Sequence, residues 1–585
     1  MKRIRSALIV GCLLVFASTS CAADEDALTA FFQAFLADEF RERPLEATRL
    51  GNHDYDHLLD EVSPKARLGW IARYRTALAD LPKKVDYKKL SRSGQIDFEI
   101  LKHDLTRTLW LHENTKPFED DPRVYNDYIS ESVYLLFTQS TLPKPTNVKN
   151  AVARMAFIPR IVAAAKVGLK NPPRVFVETA IRQNRGAIAF YESGIYQIAE
   201  ETPQLSELKP AAAKVLPVLK EYQEFLEKEL LPRATGEWRL GKERFARKLE
   251  LELDAGLTAE QVLHAAEVEF DRVERDMYVI ARQLWGTTFP VTALPADDAA
   301  GRRETIHRVL AHYNREHGKP ETLVNDAKKA VAEVRNFIRD NDLLRLPDPD
   351  RCKVVEMPEF QRGNSTAYLN PAPPLDAKAA SFYAISPPPR EWDARRVASY
   401  LEEYNNRMMH ILTIHEAYPG HYVQLEYSNR HPSLVRRVLS SGVFAEGWAV
   451  YTEQMMLDQG YGKGDLVLRL NQLKFYLRAV ANAILDHKMH CTAYTDEEAL
   501  TFLTKRVFQS EGEALGKLVR AKQSSCQLST YFVGRMAFYT LRQQVQREQG
   551  DAFQIGRFHE AVLDHGTLPV KYLPEVVKER LTRPR

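Results

Sequence analysis

A mainly α-helical fold with a small β element around residues 352–387 is what the sequence predicts. Three observations predict it. Long stretches place apolar residues at three- and four-residue spacing, the period of a helix with one buried face. Short β-branched and aromatic runs cluster in a single Pro-rich region. The chain has 585 residues, with 44% hydrophobic and 27% charged, an ordinary globular balance that excludes wholesale disorder and supports a large core.

The first 23 residues stand apart from that fold. Lys2, Arg3 and Arg5 precede an apolar run from Ala7 to Ala17, followed by small residues through Ala23. This is the layout of a secretory leader, too short for a good membrane span. Cleavage before Asp24 would release a soluble periplasmic product. Lipidation of Cys21 is the alternative, although Ser18-Thr19-Ser20 is a poor match to the usual attachment box.

Helical periodicity then runs over Ala27–Leu50, Arg67–Leu81, Val148–Leu169, Ala211–Leu230, Ala259–Leu284 and Arg303–His317, punctuated at Pro82, Pro172-Pro173 and Pro290. Strand-like pieces follow at Cys352–Met357, Ser365–Asn370 and Ser381–Ile385, set among prolines, and they read as a small sheet. The helical pattern returns at Arg395 and continues to the end. The expected division is a leader over 1–23, an N-terminal helical half over 24–250 and a catalytic half over 251–585, or one continuous domain over 24–585.

Charge and cysteine content narrow the function classes. The formal net charge is +3, and removing the three leader cations leaves 3 − 3 = 0. That balance argues against a nucleic-acid partner. Beyond the leader only Cys352, Cys491 and Cys526 remain, so at most one disulfide could form and the fold must stand on its core.

The segment that carries chemistry is His415-Glu-Ala-Tyr-Pro-Gly-His421. Neutral imidazoles bind zinc, and a Glu beside the first His is placed to take a proton from the water that the metal activates. In the common version the histidines stand four apart on one helical face. Here they are six apart, roughly 120° around a regular helix, so a regular helix would not present both to one ion. Pro419 lacks an N–H and would clash with the carbonyl four residues back, so the helix must open there. Gly420 can absorb unusual dihedrals. A break at this point would return His421 to the face of His415.

A third ligand is required, with a fourth position left for water. Phe444, Trp448, Tyr451 and Met455 form an apolar helical stripe, while Glu446, Val450 and Glu453 share another face. Solvated glutamates are the ordinary alternative. However, the apolar surroundings of Glu446 predict burial, and a buried carboxylate needs a cation or a hydrogen-bond partner. Glu446 is therefore the expected ligand, and Glu453 is expected to orient an imidazole from behind. Further on, Arg478, Asn482, Asp486 and His490 recur at four-residue steps in an otherwise apolar helix, which reads equally well as a cleft wall or an exposed face. Tyr531 and His490 are the candidate donors to an oxyanion, against the commoner fate of a buried core tyrosine.

These motifs closely resemble the bacterial domain-of-unknown-function 885 family, whose members are similar to gluzincin metallopeptidases. The resemblance covers His415–His421, Phe444–Glu453, Asp486 with His490, Tyr531 with Gly534, and Phe558–Pro569. It departs at Arg520–Cys526, where the family often carries Arg-Tyr and a Pro-Gly pair. The resemblance implies a zincin-like fold with two lobes, His415, His421 and Glu446 as metal ligands, Glu416 as general base, and Asp486 behind the site alongside Glu453.

The expected function is zinc-dependent hydrolysis of short peptides, with one Zn2+, Glu416 as base and Tyr531 or His490 on the oxyanion. Two alternatives stand beside it: a periplasmic binding or scaffold protein with a structural or vestigial metal site, and a metal-dependent hydrolase of a non-peptide amide or ester. The location expected is the periplasm, or the membrane surface through Cys21.

Overall fold

A computed structural model of the chain describes residues 24–200, 202–357 and 367–582. The expected leader lies outside the described residues, as do the first two residues of the second expected strand. The fold is mainly helical with one small sheet. It divides into two compact units. One comprises Met1–Thr235, Pro373–Ala377 and Arg430–Leu439; the other comprises Gly236–Ala372, Lys378–Asn429 and Ser440–Arg585.

The first unit is helical among its described residues. The helical pattern expected over 27–50 is divided into 24–42 and Pro44–Leu50, because Pro44 can begin a helix but cannot continue one. Pro82, by contrast, does not end its helix. Pro64–Lys84 carries it near the C-terminus, where one missing N–H removes only a terminal bond. The stretch expected over 148–169 breaks into Lys144–Met155 and Ile158–Gly168, with Pro159 in the first turn of the second. Arg154 is fully buried here. It is satisfied by the carbonyls of Leu58 and Ser132 and by the Thr48 hydroxyl, with Asp56 3.7 Å away.

The second unit holds the sheet and every candidate site residue. Strands β1 (Cys352–Glu356), β2 (Ala367–Asn370) and β3 (Ser381–Ile385) lie in the order β1-β3-β2. β1 runs parallel to β3 with Cys352 opposite Ser381, and β2 runs antiparallel with Ala367 opposite Ile385. All three expected strands are present within a residue or two. β2 is an edge strand, so some of its backbone groups are free to meet something other than a strand.

Seven helices of this unit position the site: α1 (Ala259–Thr288), α2 (Asn406–Glu416), α3 (His421–Asn429), α4 (Gly442–Asp458), α5 (Leu466–Cys491), α6 (Glu511–Gln523) and α7 (Thr530–Gln549). α4 and α5 are buried along nearly their whole lengths, as their all-round apolar sequences require. Cys352, Cys491 and Cys526 are all free thiols. Among the described residues, no helix is long and apolar enough to cross a membrane.

Candidate metal centre

Two helix ends and the second turn of a third helix build the centre. Asn405 starts α2 by accepting hydrogen bonds from Arg407 N and Met408 N, which satisfies two of the N–H groups a helix start leaves open. α2 packs on β2, and the Tyr383 hydroxyl of β3 lies 3.2 Å from Thr413 Oγ1. α2 ends at Glu416, and α3 begins at His421.

Between them the chain turns back on itself. Gly420 N donates to the carbonyl of Ile414, six residues earlier, so His421 returns over His415. The expected break at Pro419 is present, with Trp448 Nε1 of α4 donating to the Pro419 carbonyl at 2.8 Å. The reason for Gly420 differs from the expected one. Its φ is not positive; instead, a Cβ there would meet the His415 carbonyl oxygen at 1.9 Å and that of Ile414 at 2.3 Å. Glycine is required for close approach, not for unusual dihedrals.

The turn brings the two imidazoles face to edge, with ring centroids 4.8 Å apart. Glu446 of α4 reaches them both: its Oε2 lies 3.4 Å from His421 Nε2 and 3.9 Å from His415 Nε2. One ligand atom from each of the three side chains lies within 4.8 Å of the others. A four-coordinate zinc with bonds of about 2.0–2.1 Å holds its ligand atoms about 3.3–3.4 Å apart, so a small closing movement would seat an ion.

The chemistry of the donors also fits. Glu453, two helical turns beyond Glu446, is fully buried, and its Oε1 lies 2.6 Å from His415 Nδ1. With the proton on Nδ1, the Nε2 lone pair faces His421 and Glu446. A carboxylate behind an imidazole in this way fixes its tautomer and raises its basicity toward a metal. Two imidazoles and one carboxylate are the donor set of an open, three-ligand zinc site.

The electrostatics of the centre are dominated by burial, with the neighbouring charges modulating it. Burial pushes His421 down, but the Glu446 and Glu416 carboxylates more than offset it and hold the ring above its usual value. Burial, then the neighbouring His421, takes His415 down to about 3, against a smaller rise from Glu446. Burial raises Glu416 to about 7; His421 opposes that rise, and Glu446 adds to it. Burial also holds Glu453 well above the carboxylate range, with Glu416 adding to it and Arg478 and Arg535 opposing.

Glu416 faces the same cavity from the last turn of α2 and accepts a hydrogen bond from Leu369 N of edge strand β2 at 2.9 Å. The cavity encloses about 430 Å³, and its walls include His415, Glu416, Tyr404, Phe475 and Tyr531.

Tyr531 is placed by a close helix crossing. A Cβ on Gly447 would meet Gly534 Cα at 2.3 Å, and one on Gly534 would meet the Val443 carbonyl at 2.0 Å. α4 and α7 therefore touch backbone to backbone. That contact sets Tyr531, three residues before Gly534, against Glu446, one residue before Gly447. The Tyr531 hydroxyl accepts from Arg520 at 3.0 Å and from Gln527 Nε2 at 3.4 Å, and it lies within the field of the Glu446 carboxylate. Burial, then the Glu446 charge, raises it to about 12, against the pull of Arg520.

The polar stripe of α5 divides into two parts. Arg478 and Asn482 line the cavity. Asp486 and His490 lie one and two turns further along and are not brought to it. The Asp486 carboxylate accepts from Cys526 N at 3.0 Å and from Ser529 Oγ at 2.8 Å, so it holds the turn that leads into α7 and orients no imidazole. His490 is buried, with Nε2 3.0 Å from the carbonyls of both Ala521 and Ser524 and its ring stacked on Phe245. It binds the end of α6 to α5 and is not placed to serve an oxyanion. Of the two candidate donors, only Tyr531 is at the centre.

Sequence reasoning missed the wall contributed by α6. Gly512, Glu513, Gly516, Lys517 and Arg520 all line the cavity. The available signal was a pair of glycines four apart inside a helical stretch, each destabilising by about 0.5–1 kcal/mol relative to alanine.

Comparison with known proteins places the chain among uncharacterised relatives. Residues 44–577 match a family described as "Bacterial protein of unknown function (DUF885)". A solved structure of a presumed lipoprotein of unknown function from Shewanella oneidensis is similar at 30% identity and TM-score 0.79, covering 94% of this chain and 99% of that one. A second, a presumed lipoprotein from Colwellia psychrerythraea, shares the fold at TM-score 0.78 and 18% identity, covering 96% of this chain and 99% of that one. No curated protein matches.

Proposed function

The chain belongs to the bacterial DUF885 family, and from the geometry of its centre we propose that it is a zinc-dependent, gluzincin-like peptidase of short peptides. One observation carries the proposal. Two histidines six residues apart are folded back until both face Glu446, while a second carboxylate holds His415 from behind. A helix end with merely solvated histidines has no use for that arrangement.

When bound, zinc would lower the pKa of a water toward neutrality and polarise the scissile carbonyl. The remaining steps belong to the chain. Glu416, held by Leu369 N, takes the proton of the attacking water and later returns it to the leaving amine. Its pKa, raised by burial to about 7, suits both transfers. Tyr531, held by Arg520, donates its hydroxyl hydrogen to the oxyanion as charge develops there. His415 and His421 hold their rings for the cation, and Glu453 keeps the proton on the far nitrogen of His415.

A structural site would call for four protein ligands. Among the described residues the cluster offers three, and its open side faces a cavity, which favours catalysis. An ester or non-peptide amide would use the same groups, and digestion of a peptide mixture separates these readings. Export is supported by the leader-like residues 1–23 and by the relative described as a presumed lipoprotein, with Cys21 the attachment point if the chain is lipidated.

The test is Glu416→Gln. Zinc should remain bound at one equivalent, while cleavage of a peptide mixture, read by mass spectrometry, falls at least about a hundredfold. Cleavage at the wild-type rate would remove Glu416 as base, and failure of the zinc-loaded wild type to cut any peptide would remove the peptidase reading.

A further inference from the structure

The cavity beside the metal centre carries surplus positive charge. Arg478 is matched by Glu513 at 2.9 Å and Glu403 at 3.4 Å. Lys517 and Arg520 have no carboxylate partner among the described residues, and Arg520 binds only the Gln527 side chain and the Tyr531 hydroxyl. The acids on the cavity wall are already engaged, Glu513 by Arg478 and Tyr404 and Glu416 by Leu369 N. An unbalanced cation pair on a cavity wall is a ready site for an anion.

Two further features indicate that a ligand comes here. Asn482 is 5% exposed and lines the cavity, and its side-chain Oδ1 is buried without a hydrogen-bond partner among the described residues, a rare state for a buried amide. Gly512 and Gly516 stand one turn apart on the cavity face of α6, and a Cβ at either would meet open space. Neither dihedrals nor packing within the chain require glycine there, whereas close approach of a ligand would. Burial, then the charges of Arg520 and Arg478, depress Lys517 well below its usual pKa, which an arriving anion would relieve.

We infer that Lys517 and Arg520 receive the free C-terminal carboxylate of the substrate, with the Asn482 amide on the adjoining peptide group, so that the enzyme removes residues from peptide C-termini. The inference rests on the peptidase reading for its cleavage step and on the α6 wall alone for carboxylate binding. An aminopeptidase would need spare acids on this wall, and an endopeptidase would need no cation pair.

The experiment uses zinc-loaded full-length protein and three probes: N-acetyl-tetraalanine as the free acid, its C-terminal amide, and tetraalanine amide with a free amine. Binding is measured by calorimetry on Glu416→Gln and turnover on the wild type. The free acid should bind at least about tenfold more tightly than either amide, as a charge-assisted hydrogen bond implies. Lys517→Met should reduce that preference to within about twofold, which separates binding at the wall from direct carboxylate–metal contact. Equal binding of acid and amide, preference for the free amine, a preference untouched by Lys517→Met, or no binding at millimolar concentration would each overturn the inference. Preferential binding of the acid without cleavage would uphold the carboxylate site and sink the peptidase reading instead.

Discussion

Gly447 of α4 and Gly534 of α7 meet backbone to backbone, close enough that a Cβ on Gly447 would fall 2.3 Å from Gly534 Cα. This crossing connects fold to chemistry. It holds Glu446, next to Gly447, and Tyr531, one turn before Gly534, on the two touching helices, so the spacing between metal ligand and oxyanion donor is set by backbone contact. Gly534→Ala should force the helices apart. A loss of about 1–3 kcal/mol of stability is expected, together with reduced turnover and retained zinc, because His415, His421 and Glu446 do not lie on α7. Thermal melting and metal content measured on the same sample check both halves of the prediction.

Glu453 lies behind His415 at 2.6 Å and is not part of the wall of the cavity beside the centre. Glu453→Gln keeps a hydrogen-bond acceptor and the shape but removes the group that can ionise when a cation binds on the far side of His415. Zinc affinity should fall about 10–100-fold, and excess zinc should restore turnover. Competition against a chelator of known affinity gives the number. An unchanged affinity would mean that Glu453 does not act through His415.

His490 predicts a pH dependence of stability. Burial, only partly offset by the Ser524 and Ala521 carbonyls, lowers it to about 4, against about 6.5 for an unfolded chain. A lowered histidine pKa means that the unfolded state binds more protons between those values. The stabilising contribution is therefore complete above pH 6.5 and lost as pH falls toward 4. At pH 5.5 the loss is on the order of 1 kcal/mol for this group. The melting temperature should drop between pH 7.5 and 5.5, and the drop should shrink in His490→Gln. His559, taken to about 3 mainly by burial, adds a similar loss that the variant retains. An equal drop in variant and wild type would contradict the assignment.

Much of the centre was legible in the sequence because its residues are anomalies there. His415, Glu446 and Glu453 are polar groups inside apolar helices, and Pro419 announces a break where the histidine spacing requires one. The three strands stood out for the same reason, as β-branched and aromatic runs in a helical background. What could not be read is the direction in which a long helix faces at each level. α5 has 26 residues, about 39 Å of length, so a single stripe of side chains passes several neighbours. Arg478 and Asn482 meet the cavity, while Asp486 and His490 meet the α6–α7 connection. Lys517 and Arg520 were hidden for a different reason. A lysine and an arginine three apart on an amphipathic helix look like any solvated face, and only the packing of α6 against α5 turns that face toward the centre. Gly420 was recognised as necessary, but the Ile414 and His415 carbonyls that exclude a Cβ belong to the last turn of α2 and come near only when the chain folds back.

The most direct measurement is anomalous diffraction at the zinc edge from crystals of the zinc-loaded protein. The account predicts one strong peak about 2.0–2.2 Å from His415 Nε2, His421 Nε2 and a Glu446 oxygen, with an open side toward Glu416. Absence of a peak there at full zinc loading, or a peak bonded to only one of the three side chains, would contradict it.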